Sequence, residues 1–169
     1  MATRIGLISD THGHLPASVK KYFANVDEIW HAGDIGNLKV MDELAKIAPL
    51  KAVYGNIDGI EARKEYPEYL HFTQEGVSVF MIHIGGKPGY LVPRAAALVQ
   101  KHPASVFICG HSHILRAQFD KKYNHLYLNP GAAGVHGFHQ VKTIMRFTLD
   151  QGEVKDLEVI ELGKRAKVN

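Results

Sequence analysis

The chain has 169 residues, of which 46% are hydrophobic, 22% charged and 9% aromatic. These proportions exclude a disordered, collagen-like or coiled-coil protein and predict one globular domain with its own core. Lys and Arg outnumber Asp and Glu by 20 to 17, which gives a formal net charge of +3. Because the basic residues are scattered along the chain, specific nucleic-acid binding is not expected.

The cellular compartment is predicted from cysteine usage and from the absence of apolar segments in the sequence. The single cysteine, Cys109, is typical of a reducing compartment rather than of a disulfide-bonded secreted protein. The opening residues MATRIGLISD lack the apolar segment of a leader peptide, and no run of about 18 apolar residues is present. We therefore expect a cytoplasmic protein that does not associate with a membrane.

The first third of the chain predicts a repeated strand-loop-helix pattern. Apolar runs at 4–9, 28–32 and 50–54 each end in a polar loop that contains glycine, as buried strands that open into functional loops do. Apolar residues at helical spacing predict helices over 16–25 and 38–48. The repetition predicts a sheet whose loops share one edge, where ligand sites lie in open α/β folds.

The remaining sequence is richer in strands. A helix is predicted over 93–101, and strands are predicted over 69–73, 77–83, 105–109, 115–120, 123–129, 143–149 and 153–160. Together with the first third, this pattern predicts the α/β (α+β) class, with a mixed sandwich flanked by helices. We expect a single domain over 1–163 and a loose tail over 164–169.

Seven side chains that commonly bind metal ions follow five of the predicted strands. They are Asp10, His12, Asp34, Asn56, His83, His111 and His113. Oxygen and imidazole ligands without a thiolate suit hard to borderline divalent metals. Seven ligands exceed the needs of one tetrahedral site, and a carboxylate can bridge two cations. The set therefore favours two metal ions about 3.5–4 Å apart.

In two of these loops the predicted ligands are two residues apart, which requires a bend in the chain. Residues two apart in a regular strand share one face, so Asp10 and His12 reach a site beyond the strand end only if the chain bends there. Gly13 makes such a bend inexpensive, and Gly110 offers the same to His111 and His113. We expect both segments to leave regular strand geometry at the site.

These segments resemble the calcineurin-like metallophosphoesterase superfamily. Its order of motifs is matched by Asp10-Thr11-His12, Gly33-Asp34, Gly55-Asn56, His83 and Gly110-His111-Ser112-His113. The chain is most similar to the small single-domain bacterial and archaeal phosphodiesterases of that superfamily. The resemblance implies a four-layer αββα sandwich of two mixed β-sheets flanked by helices, with a dimetal site on one edge and a small-molecule phosphate ester as substrate.

The resemblance also implies how the ligands are divided. One metal would be held by Asp10, His12, Asp34 and His113. The other would be held by Asp34, Asn56, His83 and His111. Asp34 is then the bridging ligand, and Asp34, Asn56 and His111 are the expected catalytic residues. Two cations generate hydroxide at neutral pH and neutralise phosphoryl oxygens; Mn²⁺ is expected by resemblance, with Ni²⁺, Fe²⁺, Co²⁺ and Zn²⁺ as alternatives.

One position departs from the superfamily pattern. A histidine that protonates the leaving group commonly follows the Gly-Asn pair there, whereas this chain has Ile57. The resemblance therefore leaves the general acid unassigned. General acid catalysis typically contributes about 10²–10⁴-fold, so we expect a preference for esters of acidic alcohols, such as aryl diesters.

Four further residues are expected to support the site or contact substrate: His31, Asp58, Arg94 and His136. His31 would orient Asp34, and His136, like its loop neighbour His139, would reach substrate or replace the missing acid. Each has an ordinary alternative as a strand-end histidine, a turn residue, a surface charge or a loop histidine.

Two alternative functions remain open from the sequence. One is a phosphomonoesterase of the same fold, and the other is a non-catalytic protein-interaction scaffold resembling the retromer subunit of this superfamily. The complete ligand set favours an enzyme. Exposed strand edges in such a sandwich also favour a homo-oligomer.

Overall fold

The computed structural model describes residues 1–165. Its helices are α1 (Val19–Tyr22), α2 (Leu38–Ala45), α3 (Ile60–Glu65) and α4 (Pro93–Lys101). Its strands are β1 (Thr3–Ile8), β2 (Glu28–His31), β3 (Leu50–Ala52), β4 (Tyr69–Gln74), β5 (Val77–Ile82), β6 (Gly86–Lys87), β7 (Tyr90–Leu91), β8 (Val106–Ile108), β9 (Arg116–Asp120), β10 (His125–Asn129), β11 (Val141–Asp150) and β12 (Glu153–Lys164).

The strands form two five-stranded sheets and a small hairpin. The first sheet has the order β12-β11-β1-β2-β3, the second has the order β4-β5-β8-β10-β9, and β6 pairs with β7. Strands β1, β2 and β3 are parallel, as are β5, β8 and β10, and the remaining strands of each sheet pair antiparallel. Both sheets are therefore mixed, as predicted.

The parallel strands bury both of their faces, which explains their nearly continuous apolar sequences. In β1, Leu7 belongs to the core between the two sheets together with Ile108, whereas Ile8 belongs to the core beneath the helices together with Leu44 of α2. In β8, Phe107 packs in a third core with residues of α4. The layers therefore run helix, sheet, sheet, helix, and the predicted four-layer αββα sandwich is confirmed.

Some element boundaries differ from the sequence expectation. Helix α1 covers only 19–22 of the predicted 16–25, and α2 ends at Ala45 rather than at residue 48. Helix α3 and the β6–β7 hairpin were not predicted. Ala62 is the one buried residue of α3, and each hairpin strand has two residues. Neither the helix nor the hairpin therefore shows a periodic pattern of apolar residues in the sequence.

The C-terminal end of the described chain is paired into the first sheet. Lys164 pairs with Val141, and the Arg165 N–H donates to the Gln140 carbonyl at 2.9 Å. The loose tail predicted over 164–169 therefore does not begin at residue 164, and residues 166–169 lie outside the described residues. No helix within 1–165 combines the length and apolar character needed to cross a lipid bilayer.

Trp30 provides a test of the core between the sheets. Its fully buried indole on β2 packs edge-on against Phe72 of the second sheet, at 5.2 Å between ring centroids, and against Phe147 of its own sheet. We predict that Trp30→Ala lowers the free energy of unfolding by about 3–5 kcal/mol because it leaves a cavity between the sheets. Urea denaturation measures this change. The matched control is Phe138→Ala, since that ring is fully exposed. A decrease of less than about 1 kcal/mol in the free energy of unfolding of Trp30→Ala would contradict the prediction.

Candidate metal centre

All seven side chains predicted as metal ligands converge at one edge of the sandwich. His12 Nε2 lies 3.4 Å and His83 Nε2 lies 3.2 Å from Asp34 Oδ2. His113 Nε2 lies 3.1 Å from Asp10 Oδ1. On the solvent side, His111 Nδ1 lies 3.0 Å from the side-chain oxygen of Asn56.

The carboxylates and histidines form two compact groups. One contains Asp10, His12 and His113, and the other contains Asp34, His83 and His111; within each, one potential ligand atom per residue lies within 4.8 Å of the others. Asp34 also approaches His12 of the first group, so its carboxylate lies between the two groups. This arrangement can accommodate two cations that share one carboxylate.

Buried atoms without partners test whether these residues fit a cation. Four buried side-chain atoms of the described residues have no hydrogen-bond partner. His125 Nε2 lies away from the site, beside Asp120, and the other three are Asp10 Oδ1, His12 Nε2 and His83 Nε2. Such groups are costly to bury unless a ligand or ion satisfies them. Because all three belong to the converging set, they are oriented as metal ligands would be, and the residues fit a pair of divalent cations.

The backbone at the site adopts an unusual conformation. Five of the predicted ligands have positive φ angles: Asp10 (54°), His12 (46°), Asp34 (55°), His111 (70°) and His113 (60°). This region is sparsely populated by residues other than glycine, and such strain clusters at functional sites. The bends predicted for the segments 10–12 and 111–113 are therefore present. They occur at these residues themselves and at Gly13, whereas Gly110, which was expected to provide the second bend, has no positive φ angle.

Hydrogen bonds between loops hold these strained residues in place. The Asp10 and His12 amides donate to the carbonyls of Gly33 and Asp34, each at 3.0 Å, and thereby join the loops after β1 and β2. The Gly110 amide donates to the His83 carbonyl, also at 3.0 Å, and joins the loops after β8 and β5. Within each sheet, neighbouring loops are thus linked directly through residues of the site.

Asp58 acts on the loop backbones rather than on the centre of the site. Its buried carboxylate accepts the amides of Ile35 and Gly36 at 3.1 and 2.9 Å, and the amide of Gly55 at 2.7 Å. These amides lie in the loops that carry Asp34 and Asn56. The structure therefore places Asp58 as a connection between two ligand-bearing loops.

His31 has a similar position beneath the site. Its Nδ1 accepts the Gly33 amide at 3.1 Å, and its Nε2 lies 3.0 Å from the Thr11 hydroxyl, which in turn donates to the Ile35 carbonyl. Burial lowers the pKa of His31 to about 4, so the ring is neutral at neutral pH. His31 thus supports the backbones next to Asp34 and between Asp10 and His12, without contacting the Asp34 carboxylate itself.

Hydrogen bonds also determine which nitrogens of two ligand histidines face the site. His83 Nδ1 lies 2.8 Å from the Ala32 carbonyl and must donate to it, which leaves Nε2 free. His139 Nε2 lies 2.7 Å from the Gly134 carbonyl, so its Nδ1 is left to accept from His113 Nδ1 at 3.2 Å. The Nε2 lone pair of His113 then faces Asp10. His139, which the sequence suggested as a substrate contact or a substitute acid, is thus a positioning residue for His113.

Three other positions clarify the sequence expectations. Arg94 is bound to Glu68 through two hydrogen bonds of 2.9 and 3.1 Å and is therefore not a free phosphate ligand. The exposed ring of His136 stacks on His12 at 5.6 Å between centroids. The Ile57 side chain is half exposed, and its amide donates to Asp34 Oδ1 at 3.1 Å.

The electrostatics of the centre keep its carboxylates ionised. Burial favours the neutral form of Asp34, but the nearby His12 and His83 outweigh it and hold the pKa of Asp34 far below its usual range. The same opposition, with His113 and His12 as partners, lowers the pKa of Asp10. In turn, Asp10 and Asp34 raise the pKa of His12 to about 9. The centre therefore keeps two ionised carboxylates at a buried location, where a bound cation would replace the proton that His12 carries in the metal-free protein.

Comparisons with known proteins agree with this geometry. Residues 3–152 match the family model of the calcineurin-like phosphoesterase superfamily domain. A probable metallophosphoesterase of Methanothermobacter thermautotrophicus is 33% identical over 94% of this chain and 92% of its own length. A structure described as that of a novel archaeal phosphodiesterase has a TM-score of 0.74 at 25% identity, over 94% of this chain and 99% of that one. Vacuolar protein sorting 29 of Cryptosporidium parvum shares the fold, with a TM-score of 0.73 at 18% identity over 96% of this chain and 99% of its own.

The contact between His139 and His113 predicts an effect on metal affinity. We expect His139→Ala to weaken Mn²⁺ binding by about 10–100-fold, because His113 loses the acceptor that orients its ring. Calorimetric titration of the metal-free protein with Mn²⁺ measures the dissociation constants. His14→Ala, at an exposed histidine near the same edge, is the control. Wild-type affinity and stoichiometry in His139→Ala would refute the positioning role.

Proposed function

This chain belongs to the calcineurin-like phosphoesterase superfamily, and from that premise we propose that it is a metal-dependent phosphodiesterase. The observation that carries the proposal is the convergence of six carboxylate and histidine side chains into two groups joined at Asp34, with Asn56 beside His111. Buried ligand atoms without partners favour a site that binds cations, which a metal-dependent hydrolase requires.

We assign the ligands to two cations by their groups. The first cation would be held by Asp10, His12, Asp34 and His113. The second would be held by Asp34, Asn56, His83 and His111. When bound, such a pair of cations supplies Lewis acidity that activates water near neutral pH and neutralises phosphoryl oxygens. Mixed oxygen and imidazole ligands suit Mn²⁺, which we propose as the native metal.

The exposure of the ligands suggests how substrate would be received. Asp10 and Asp34 are buried, whereas Asn56 and His111 are exposed at the mouth of the site. We therefore propose that Asn56 and His111 contact the phosphoryl group and that Asp34 organises the centre.

Hydrolysis forms a bond from water oxygen to phosphorus and breaks the bond from phosphorus to the departing oxygen, which takes up a proton.

The comparisons support a diester as substrate, and Ile57 bears on its leaving group. The archaeal protein that resembles this chain at 25% identity is described as a phosphodiesterase. In addition, the aliphatic side chain of Ile57 can supply no proton to a departing alkoxide, so esters of acidic alcohols are favoured. The ring of His136 stacks on that of His12, and we propose His136 as the alternative proton donor.

The alternative functions give different outcomes in the same assays. A phosphomonoesterase would turn over aryl monoesters faster than the matching diesters. A scaffold would show no turnover with any ester, and its support is the fold that this chain shares with vacuolar protein sorting 29. We retain the cytoplasmic location and the formation of homo-oligomers as predictions from the sequence.

Asp34 provides the direct test of the centre. We predict that Asp34→Asn lowers kcat/KM for bis(p-nitrophenyl) phosphate by more than about 10³-fold and reduces bound metal from two ions per chain to one or none, because the bridging charge is lost. Elemental analysis measures the metal independently of activity. Asp42→Asn, on the exposed side of α2, should leave both values unchanged. Full metal content and activity in Asp34→Asn would refute the proposed centre.

Ile57 provides a test of the missing acid. Across a series of aryl and alkyl methyl phosphates, we expect log kcat/KM to fall steeply as the pKa of the leaving alcohol rises. Ile57→His should flatten this dependence and raise the rate for the poorest leaving groups by about 10²-fold or more, while Ile57→Leu should not. A wild-type rate that is insensitive to alcohol pKa would show that another residue already donates the proton.

A further inference from the structure

Two neighbouring clefts border the second ligand group. The Tyr54 cleft has a volume of about 330 Å³ and is lined by Tyr54, Asn56, Arg63, Glu68, His83 and Arg94. The Tyr90 cleft has a volume of about 370 Å³ and is lined by Lys87, Tyr90, His111, Ser112, Ile114 and Arg116. Ile84 and Val92 line both clefts. A phosphate diester bound at the centre therefore has a separate cleft available for each of its two organic groups.

The two clefts differ in charge. In the Tyr54 cleft, Arg94 is neutralised by Glu68, and Arg63 lies over the Tyr54 ring at 4.4 Å. The lining of the Tyr90 cleft contains Lys87 and Arg116 but no carboxylate. Within residues 1–165, neither of these two cations forms a salt bridge. The Tyr90 cleft therefore has two cations available to an anionic ligand.

The hairpin that carries Lys87 and Tyr90 is held firmly in place. The Gly89 amide at its turn donates to the buried carboxylate of Asp120 at 2.7 Å, and Lys122 Nζ donates to the Gly89 carbonyl at 3.2 Å. At its base, the Tyr127 hydroxyl donates to the Gly86 carbonyl at 2.6 Å. The hairpin is thus anchored to β9 and β10, and a cleft fixed in this way loses little entropy on binding.

Exposed apolar surface accompanies these cations. Tyr90 is 72% exposed and Ile114 is 64% exposed, although both line the cleft. Lys87 Nζ lies 5.1 Å from the centre of the Tyr90 ring. Free inorganic phosphate would not use the apolar walls, and an alkyl group would not use the cations. A group that combines a planar ring with a negative charge uses both.

We propose that the Tyr90 cleft binds a nucleotide group of the diester substrate, with Tyr90 against the base and with Lys87 and Arg116 against a further phosphate on that group. The inference rests on the proposed function, because it names the class of diester that the same centre hydrolyses. The substrate class is then a small nucleotide diester that carries a second phosphate on the same nucleotide as the scissile one.

Two chromogenic substrates that differ by one phosphate test the proposal. The first is the p-nitrophenyl ester of thymidine 5′-phosphate, and the second carries an additional 3′-phosphate. We expect the 3′-phosphate to raise kcat/KM by about tenfold in the wild type, as two exposed charge contacts would. In the Lys87→Ala/Arg116→Ala double variant, this ratio should fall to about one. Lys101→Ala, at the exposed end of α4, is the matched control and should keep the ratio.

The ratio between the two substrates separates the proposal from a general loss of activity. Thermal unfolding of the double variant confirms that it folds. Equal kcat/KM for both substrates in the wild type would overturn the proposal, as would a ratio that survives in the double variant. The ratio should also fall when ionic strength rises from about 0.01 M to about 1 M, because the Debye length shrinks from about 30 Å to about 3 Å.

A binding experiment distinguishes failure of the cleft from failure of the centre. Calorimetric titration compares thymidine 3′,5′-bisphosphate with thymidine 5′-monophosphate and needs no turnover. Tighter binding of the bisphosphate, lost in the double variant, supports the cleft even if neither ester is hydrolysed, in which case only the proposed function fails. Affinity that increases further with strand length for short oligonucleotides would overturn the small-nucleotide class.

Discussion

The position of the Asp34 carboxylate between the two groups of side chains is the constraint on which the rest of the centre depends. A buried carboxylate is tolerated only where opposite charge or hydrogen-bond donors compensate for its lost hydration, and here the imidazoles of His12 and His83 approach the same Oδ2 atom. A second carboxylate, Asp10, lies under His113 on the neighbouring side. Two buried negative charges among unpartnered imidazole nitrogens form an environment that cations stabilise.

The backbone makes this concentration of ligands possible at a cost in strain. Five ligand residues adopt positive φ angles, each of which costs of the order of 1–3 kcal/mol for residues other than glycine. The cost is offset by hydrogen bonds that the loops make with one another, including three amides held by Asp58 and the contacts of neutral His31. The supporting residues therefore act by keeping the loops in a conformation that the ligands alone would not adopt.

The sandwich then determines what can reach the centre. Its two sheets bring the carboxyl ends of their parallel strands to one edge, so that the ligands from both sheets meet there and clefts open beside them. The β6–β7 hairpin, anchored through Asp120, adds Lys87 and Tyr90 to one of these clefts. The chemistry of the centre belongs to the superfamily, whereas the side chains around the clefts are those that give an individual member its substrate preference.

The ligand set, the sheet-rich fold and the loop positions were predictable from the sequence because each is a local pattern. Apolar strands that end in Asp-x-His, Gly-Asp, Gly-Asn and Gly-His-x-His can be read residue by residue, and long periodic elements such as α4 were predicted at their observed bounds. Short elements such as α3 and the β6–β7 hairpin could not be predicted, because they are too short to show a periodic pattern of apolar residues.

The roles of the supporting residues were decided only by the tertiary structure. Nothing near His139 in the chain indicates that it accepts a hydrogen bond from His113, 26 residues away. Likewise, the sequence does not show that Arg94 forms a salt bridge with Glu68. The sequence alone determined which side chains this protein can offer to a cation. Their orientation, their partners and the clefts beside them depend on contacts between distant loops, which form only when both sheets pack together.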